Sequence, residues 1–303
     1  MFWRKKNKNE ATQKSTEAVV ENASPCNIKV VVKTDLGNVR TNNEDAGSFF
    51  KVAGENTIRE KGYLLLVADG MGGHNAGEVA SKMAVEIIHE EYFRPNGESN
   101  KEKLLSKAFN TANKKIFDMA SVNQSYKGMG TTCTALVVVG QNIYYAHAGD
   151  SRAYLYKNKL ITRLTEDHTY VQQLVNNGDI TAAEADTHPQ RNILTNAMGT
   201  KPTLRVDTGK AVATFDESDR LLLCSDGLYD YLTDDELAIA LRYESLQDAA
   251  DYLINEAKRR GGKDNITVVL AERTATPDET ALKLTRDVDL PKLTRDADLP
   301  PGI

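Results

Sequence analysis

Apolar residues recur along the chain with two periods, and the change from one to the other marks out its elements. Short β-branched and aliphatic runs at 28–32, 63–68, 132–139, 143–148, 153–156, 160–164, 221–224 and 266–271 read as strands. Helical spacing separates them. A stripe of Ala80, Met83, Ala84, Ile87 and Ile88 predicts a helix over about 76–93. Leu105, Ala108, Phe109, Ala112 and Ile116 predict another over about 101–120. Asn75 with Glu78 three residues on has the form of a capping box. A closing helix pair is expected near 234–241 and 246–259, stopped by Gly261-Gly262.

The connections decide how those strands pair. Tight polar turns at Gly140-Gln141-Asn142 and Lys157-Asn158 favour antiparallel hairpins over parallel crossovers. The runs Leu64-Leu65-Leu66-Val67 and Leu221-Leu222-Leu223 have no polar face, as expected of central strands covered on both sides. The class implied is α+β, with two packed sheets and helices outside them.

Composition narrows the picture further. The chain of 303 residues carries a net charge of −5 with its signs intermixed, which disfavours nucleic acid as a partner. Its three cysteines, Cys26, Cys133 and Cys224, form no C-x-x-C pair and suit a reducing, cytoplasmic setting. Residues 1–26 are polar and basic, with Arg4, Lys5, Lys6 and Lys8, and lack an apolar stretch for a signal or stable membrane insertion. They read as a flexible leader before a domain at 27–272. The tail at 273–303 contains a duplication, Lys283-Leu-Thr-Arg-Asp-Val-Asp-Leu-Pro291 followed by Lys292-Leu-Thr-Arg-Asp-Ala-Asp-Leu-Pro300. It reads as a flexible tail, with Thr285 and Thr294 as candidate docking or phosphorylation positions.

Acidic residues stand beside Gly or Asn at the ends of several apolar runs: Glu44 and Asp45, Asp69-Gly70, Asp150, Asp226-Gly227 with Asp230, and Asp264. Each alone is an ordinary turn signal. Brought together, such carboxylates lose hydration and repel one another unless cations compensate. Donors that are all oxygen indicate manganese or magnesium rather than zinc or copper. Two such ions about 3.5–4 Å apart lower the pKa of a bridging water for attack on phosphorus. Arg40, close to Asp45 in the chain, is the candidate fork for a substrate phosphate.

The motifs Arg40 to Asp45, Asp69-Gly-Met-Gly-Gly-His74, Gly128-Met-Gly-Thr-Thr132, Gly149-Asp-Ser-Arg-Ala-Tyr-Leu155, Leu164-Thr-Glu-Asp-His168, Leu221-Leu-Leu-Cys-Ser-Asp-Gly227 and Lys263-Asp-Asn-Ile-Thr267 come in a telling order. Together they resemble the metal-dependent (type 2C) protein serine/threonine phosphatases, in particular the bacterial branch. The resemblance spans roughly 30–270. It implies a four-layer αββα sandwich with a mobile flap at about 165–191 that gates and selects substrate. It also implies that Asp69 bridges two core ions, with Asp226 and Asp264 on one and the Gly70 carbonyl on the other. Glu44 and Asp45 would then act near the second ion, largely through its waters, and Asp150 with Asp226 and Asp230 would form a weaker third site. Phosphorylated proteins would be the substrates, and a serine/threonine kinase the opposing partner.

One position departs from part of the family. Met71 stands where some members have a histidine suited to protonating the leaving alkoxide, which leaves a metal-bound water or His74 as the candidate donor. Other phosphatase chemistries find less support: Cys224 lacks an arginine six residues on, Gly149-Asp-Ser-Arg-Ala153 fails as a serine-hydrolase elbow, and Gly128-Met-Gly130 is no P-loop. The competing readings are a metal-dependent esterase for small phosphates and a catalytically quiet module that binds phosphorylated partners.

Overall fold

The computed structural model describes residues 27–72, 76–95 and 97–274. In chain order its strands are β1 (Asn27–Asp35), β2 (Asp45–Lys51), β3 (Tyr63–Met71), β4 (Gly130–Thr131), β5 (Cys133–Val139), β6 (Asn142–Ala148), β7 (Arg152–Lys157), β8 (Leu160–Arg163), β9 (Asp207–Lys210), β10 (Arg220–Cys224) and β11 (Ile266–Thr274). The α-helices are α1 (Glu55–Lys61), α2 (Ala76–Phe93), α3 (Lys101–Val122), α4 (Tyr170–Asn177), α5 (Ala182–Asp186), α6 (Asp226–Tyr229), α7 (Asp234–Ala240) and α8 (Leu246–Arg260). Leader residues 1–26, the duplicated tail with Thr285 and Thr294, and the His74 and Asn75 positions lie outside the described residues.

The strands form two antiparallel sheets. One has the order β1-β11-β10-β7-β8, the other β2-β3-β5-β6-β9 with β4 also on β3. The doubly apolar runs sit where expected, β3 between β2 and β5, and β10 between β11 and β7. Period-two alternation sends their side chains into different cores. From β3, Leu64, Leu66 and Ala68 pack with α2 and α3 residues such as Ala84, Ile88 and Phe109. Leu65 and Val67 turn the other way and meet Leu221, Leu223 and Val269 between the sheets. Leu222 and Cys224 of β10 then join Leu237, Leu253 and Ile254 of α7 and α8. This is the αββα sandwich. Each fully buried leucine contributes roughly 1.5–3 kcal/mol.

Both expected hairpins form. Asn158 and Lys159 adopt φ of 52° and 67° in the β7–β8 turn, the left-handed pair that a tight two-residue turn needs. The first and last strands, β1 and β11, pair along their whole length from Asn27↔Thr274 to Asp35↔Ile266. The final strand therefore runs three residues beyond the 271 read from the apolar pattern, because β1 supplies partners for Glu272, Arg273 and Thr274.

Some elements carry no apolar signature. Asp207-Thr-Gly-Lys210 becomes β9 because β6 offers it a free edge at Tyr144–His147. In β2, Gly47 leaves room for the opposite sheet: an added Cβ would lie 2.8 Å from Thr267 Cγ2. The expected capping box involves Asn75 and so lies outside the described residues; the Glu78 carboxylate accepts from Lys82 Nζ at 2.6 Å and Asn42 Nδ2 at 3.2 Å. Cys133 and Cys224 are free and buried in apolar surroundings. Among the described residues no helix is long and apolar enough to cross a membrane.

Candidate metal centre

The acidic positions singled out from the sequence gather at one end of the sandwich, contributed by both sheets. In one sheet the β2–β3 register sets Asp45 opposite Asp69. In the other, Asp226 follows β10 and opens α6, and Asp264 precedes β11. Asp150 occupies the turn between β6 and β7, where the chain passes from one sheet to the other.

Hydrogen bonds from distant residues hold the backbone around Asp69 and Glu44 in place. The Asp69 N–H donates to Thr132 Oγ1 at 3.0 Å, and the Asp69 carbonyl accepts from Thr132 N at 2.8 Å and Thr131 Oγ1 at 2.9 Å. Gly70 donates its N–H to the Glu44 carbonyl at 3.1 Å. It must be glycine, because a Cβ there would sit 2.1 Å from the Gly77 carbonyl oxygen at the start of α2. Asn265 joins the loops: its Oδ1 accepts the Glu44 N–H at 2.8 Å, and its Nδ2 donates to the carbonyls of Asn42 at 3.0 Å and Leu36 at 3.1 Å.

Electrostatics show how strongly the group is crowded. Burial, then repulsion from Asp45, Asp226, Asp150 and Asp264, raises the Asp69 carboxyl well above the usual range. Burial and the charges of Asp150, Asp264 and Asp230 do the same to Asp226. Asp45 is pushed up to about 6, chiefly by burial. Asp150 is pushed up to about 7 by burial and by the nearby Asp167. Glu44 is raised as well, burial outweighing the attraction of Arg40. The whole set favours a compensating positive charge.

Cations of the protein itself supply part of it. Arg40 Nη2 donates to Asp264 Oδ2 at 2.6 Å. Asp230 is gripped by both Arg191 amino groups, at 3.2 and 2.8 Å. That ion pair ties the 165–191 segment, with its helices α4 and α5, back to the residues after α6. A cavity of about 480 Å³ opens between Asp226, Asp230 and Asp264, with Arg191 and Lys263 on its walls. A second, of about 560 Å³, lies beneath α4 and α5 and reaches Asp150. At its edge Arg152 makes a fork to Asp167, with Nη2 to Oδ2 at 2.7 Å, and stacks over the Tyr229 ring at 3.6 Å.

Oxygen donors in this arrangement fit divalent cations. Asp226 Oδ1 is buried and has no hydrogen-bond partner among the described residues. Among those residues no three His, Cys, Asp or Glu side chains close tightly around a single point.

Residues 30–174 match the family described as Protein phosphatase 2C. The serine/threonine phosphatase stp of Listeria innocua is 40% identical over 245 residues, covering 80% of this chain and 94% of that one. The chain belongs to the protein phosphatase 2C family. Among solved structures, the S. agalactiae serine/threonine phosphatase superposes with a TM-score of 0.73 at 36% identity, over 81% of this chain and 99% of that one. The catalytic domain of the serine threonine protein phosphatase PstP, in complex with two manganese ions, gives a TM-score of 0.68 at 36% identity, over 82% and 99%.

Within this member of the family, supporting groups sit beside the acids without having been singled out. Thr132, Ser225 and Asn265 lie inside motifs read for their neighbours. Arg191, at the end of the 165–191 segment, finds its partner Asp230 only through the fold. Linear spacing carries no sign of any of these bonds.

Proposed function

We propose that this chain is a manganese- or magnesium-dependent protein serine/threonine phosphatase that hydrolyses phosphoserine and phosphothreonine monoesters. One observation carries the reading: Asp45 and Asp150, which are buried, and Asp69 and Asp226, which are partly buried, are drawn from both sheets to one end, where their crowding raises the proton affinity of Asp69 and Asp226. Likeness to PstP, whose catalytic domain is described with two manganese ions, supports the choice of metal.

Asp69, Asp226, Asp264 and the Gly70 carbonyl would hold two core ions, with Glu44 and Asp45 beside the second and Asp150, Asp226 and Asp230 around a weaker third. When bound, such ions supply Lewis-acid charge and a water acidic enough to attack phosphorus at neutral pH. Arg40 is half-exposed at the rim and offers a planar fork to the substrate phosphate, exchanging Asp264 for phosphate oxygens. Arg191 keeps the flap segment against the cleft through Asp230. His74 or a metal-bound water is the candidate donor of a proton to the leaving alkoxide. Phosphorylated proteins would reach the site in the cytoplasm as products of a serine/threonine kinase.

The test is direct. Purified protein with manganese is expected to hydrolyse both an aryl phosphate and a phosphothreonine peptide, and to stop on chelation. Asp69→Asn is expected to abolish turnover while circular dichroism stays that of the wild type. Near-normal turnover in that variant, or in excess chelator, rejects the reading.

A further inference from the structure

We propose that Ser225 is a positioning residue whose hydroxyl fixes the gap between the two halves of the metal site; this rests on the metal-dependent reading above. Ser225 is completely buried. Its Oγ donates to Asp45 Oδ2 at 2.7 Å and accepts the Thr267 backbone N–H at 3.0 Å.

The bond to Asp45 crosses between the sheets, and the bond from Thr267 anchors Ser225 to its own sheet. Asp45 begins β2 of one sheet, while Ser225 directly follows β10 and Thr267 lies in β11 of the other. Asp45 stands opposite Asp69 in the β2–β3 register, and Ser225 is covalently joined to Asp226. A single hydroxyl thus closes the path Asp69, Asp45, Ser225, Asp226, which links the ligands that the two sheets contribute separately.

The orientation of Ser225 is the second observation. Ser225 occupies the N-cap position of α6, where a serine normally bonds to the exposed N–H groups of the first turn. It makes no such bond. Its hydroxyl is turned to Asp45 instead, and the Thr267 side chain, 2.7 Å from Thr34 Oγ1, also favours the charged form of that carboxylate.

Apolar packing cannot supply this adjustment by itself. Leu65 and Val67 against Leu223 and Val269 hold the sheets together through contacts with no directional preference. A hydrogen bond from a hydroxyl to a carboxylate is short and directional. Magnesium in particular demands oxygen ligands at about 2.0–2.1 Å in near-octahedral order, so small drifts between the sheets are felt at the ion. Ser225 accordingly acts on the metal through Asp45 and Asp226.

The experiment is a manganese titration of the full chain, following free manganese by electron paramagnetic resonance. Ser225→Ala is expected to bind manganese about tenfold or more weakly, the size of effect found when groups behind metal ligands are removed. Ser225→Thr, which keeps the hydroxyl, is expected to recover most of the affinity. Ser81→Ala removes another completely buried hydroxyl, one bonded to the Glu78 carbonyl in α2, and is expected to bind like the wild type. If Ser225→Ala does not fold by circular dichroism, Thr267→Val removes the other hydroxyl that favours the Asp45 carboxylate while conserving shape, and a weakening in the same direction is expected. Wild-type affinity in the folded variant overturns the proposal, as does an equal loss in Ser81→Ala. Failure of the wild-type chain to bind manganese overturns the metal-dependent reading, and this inference with it.

Discussion

Arg40 and Asp264 lie 224 positions apart in the chain, yet Arg40 Nη2 donates to Asp264 Oδ2 at 2.6 Å. The pairing joins the proposed phosphate fork to a proposed metal ligand. It is made possible by the β1–β11 pairing, which brings the first strand of the domain beside the last. In that position the guanidinium is charged, oriented and exposed at the mouth of the acidic site.

Arg40→Ala is expected to lower kcat/KM by about ten- to a hundredfold, the range for loss of a charge-assisted hydrogen bond. Most of the change should fall on KM. Arg40→Lys should recover only part of it, since an ammonium has charge but no fork. Steady-state kinetics on a phosphothreonine peptide decide the point, and unchanged constants in the alanine variant remove Arg40 from substrate binding.

Gly70→Ala is expected to destabilise the fold by about 3 kcal/mol, as overpacking of a tight contact does. The added methyl would meet the Gly77 carbonyl oxygen at 2.1 Å and the Glu44 carbonyl oxygen at 2.5 Å, both of them backbone. Neither can move without shifting α2 or the loop before β2. Urea unfolding followed by circular dichroism measures the effect.

His147 predicts a pH dependence away from the acidic centre. It is completely buried, its Nδ1 lies 2.8 Å from Thr134 Oγ1, and burial followed by the nearby His168 lowers its pKa to about 4. The unfolded chain holds this proton below the usual histidine value of roughly 6.5, while the folded chain refuses it until about pH 4. The unfolded state therefore binds more protons in that window, and folding stability falls as pH drops through it and levels off below. The full loss amounts to about 3 kcal/mol. His147→Asn, which retains a polar partner for Thr134, should flatten this part of the stability profile measured by denaturant unfolding.

Arg191→Ala is expected to speed amide hydrogen exchange across α4 and α5 while global stability falls by no more than about 1 kcal/mol, since the pair with Asp230 is partly exposed. Unaltered exchange there would mean that Asp230 does not anchor the segment.

The pattern of apolar residues was enough for the sandwich. Runs such as 64–67 and 221–223 are apolar at every position, and only a strand with a core on each side requires that. The stripe at Ala80, Ala84, Ile87 and Ile88 likewise fixed α2 to its observed bounds. Elements built from polar residues escaped. Asp207–Lys210 is a strand because Tyr144–His147 leaves an edge beside it, and Glu55–Lys61 is a short helix of mostly polar residues. Their conformations answer to neighbours supplied by the fold.

The site divides along the same line. Sequence alone placed acids beside glycine at strand ends, and glycine there is a local requirement, as the 2.1 Å approach to Gly77 at position 70 shows. It could also identify oxygen chemistry, because ligand type is written in residue type. Which groups hold those acids was decided only by tertiary structure: Ser225 on Asp45, Asn265 on Glu44, Arg191 on Asp230 and Arg40 on Asp264. Local backbone preference and side-chain chemistry act over a few residues and can be read in order, whereas these bonds join residues 39 to 224 positions apart and exist only once the fold has brought distant elements together.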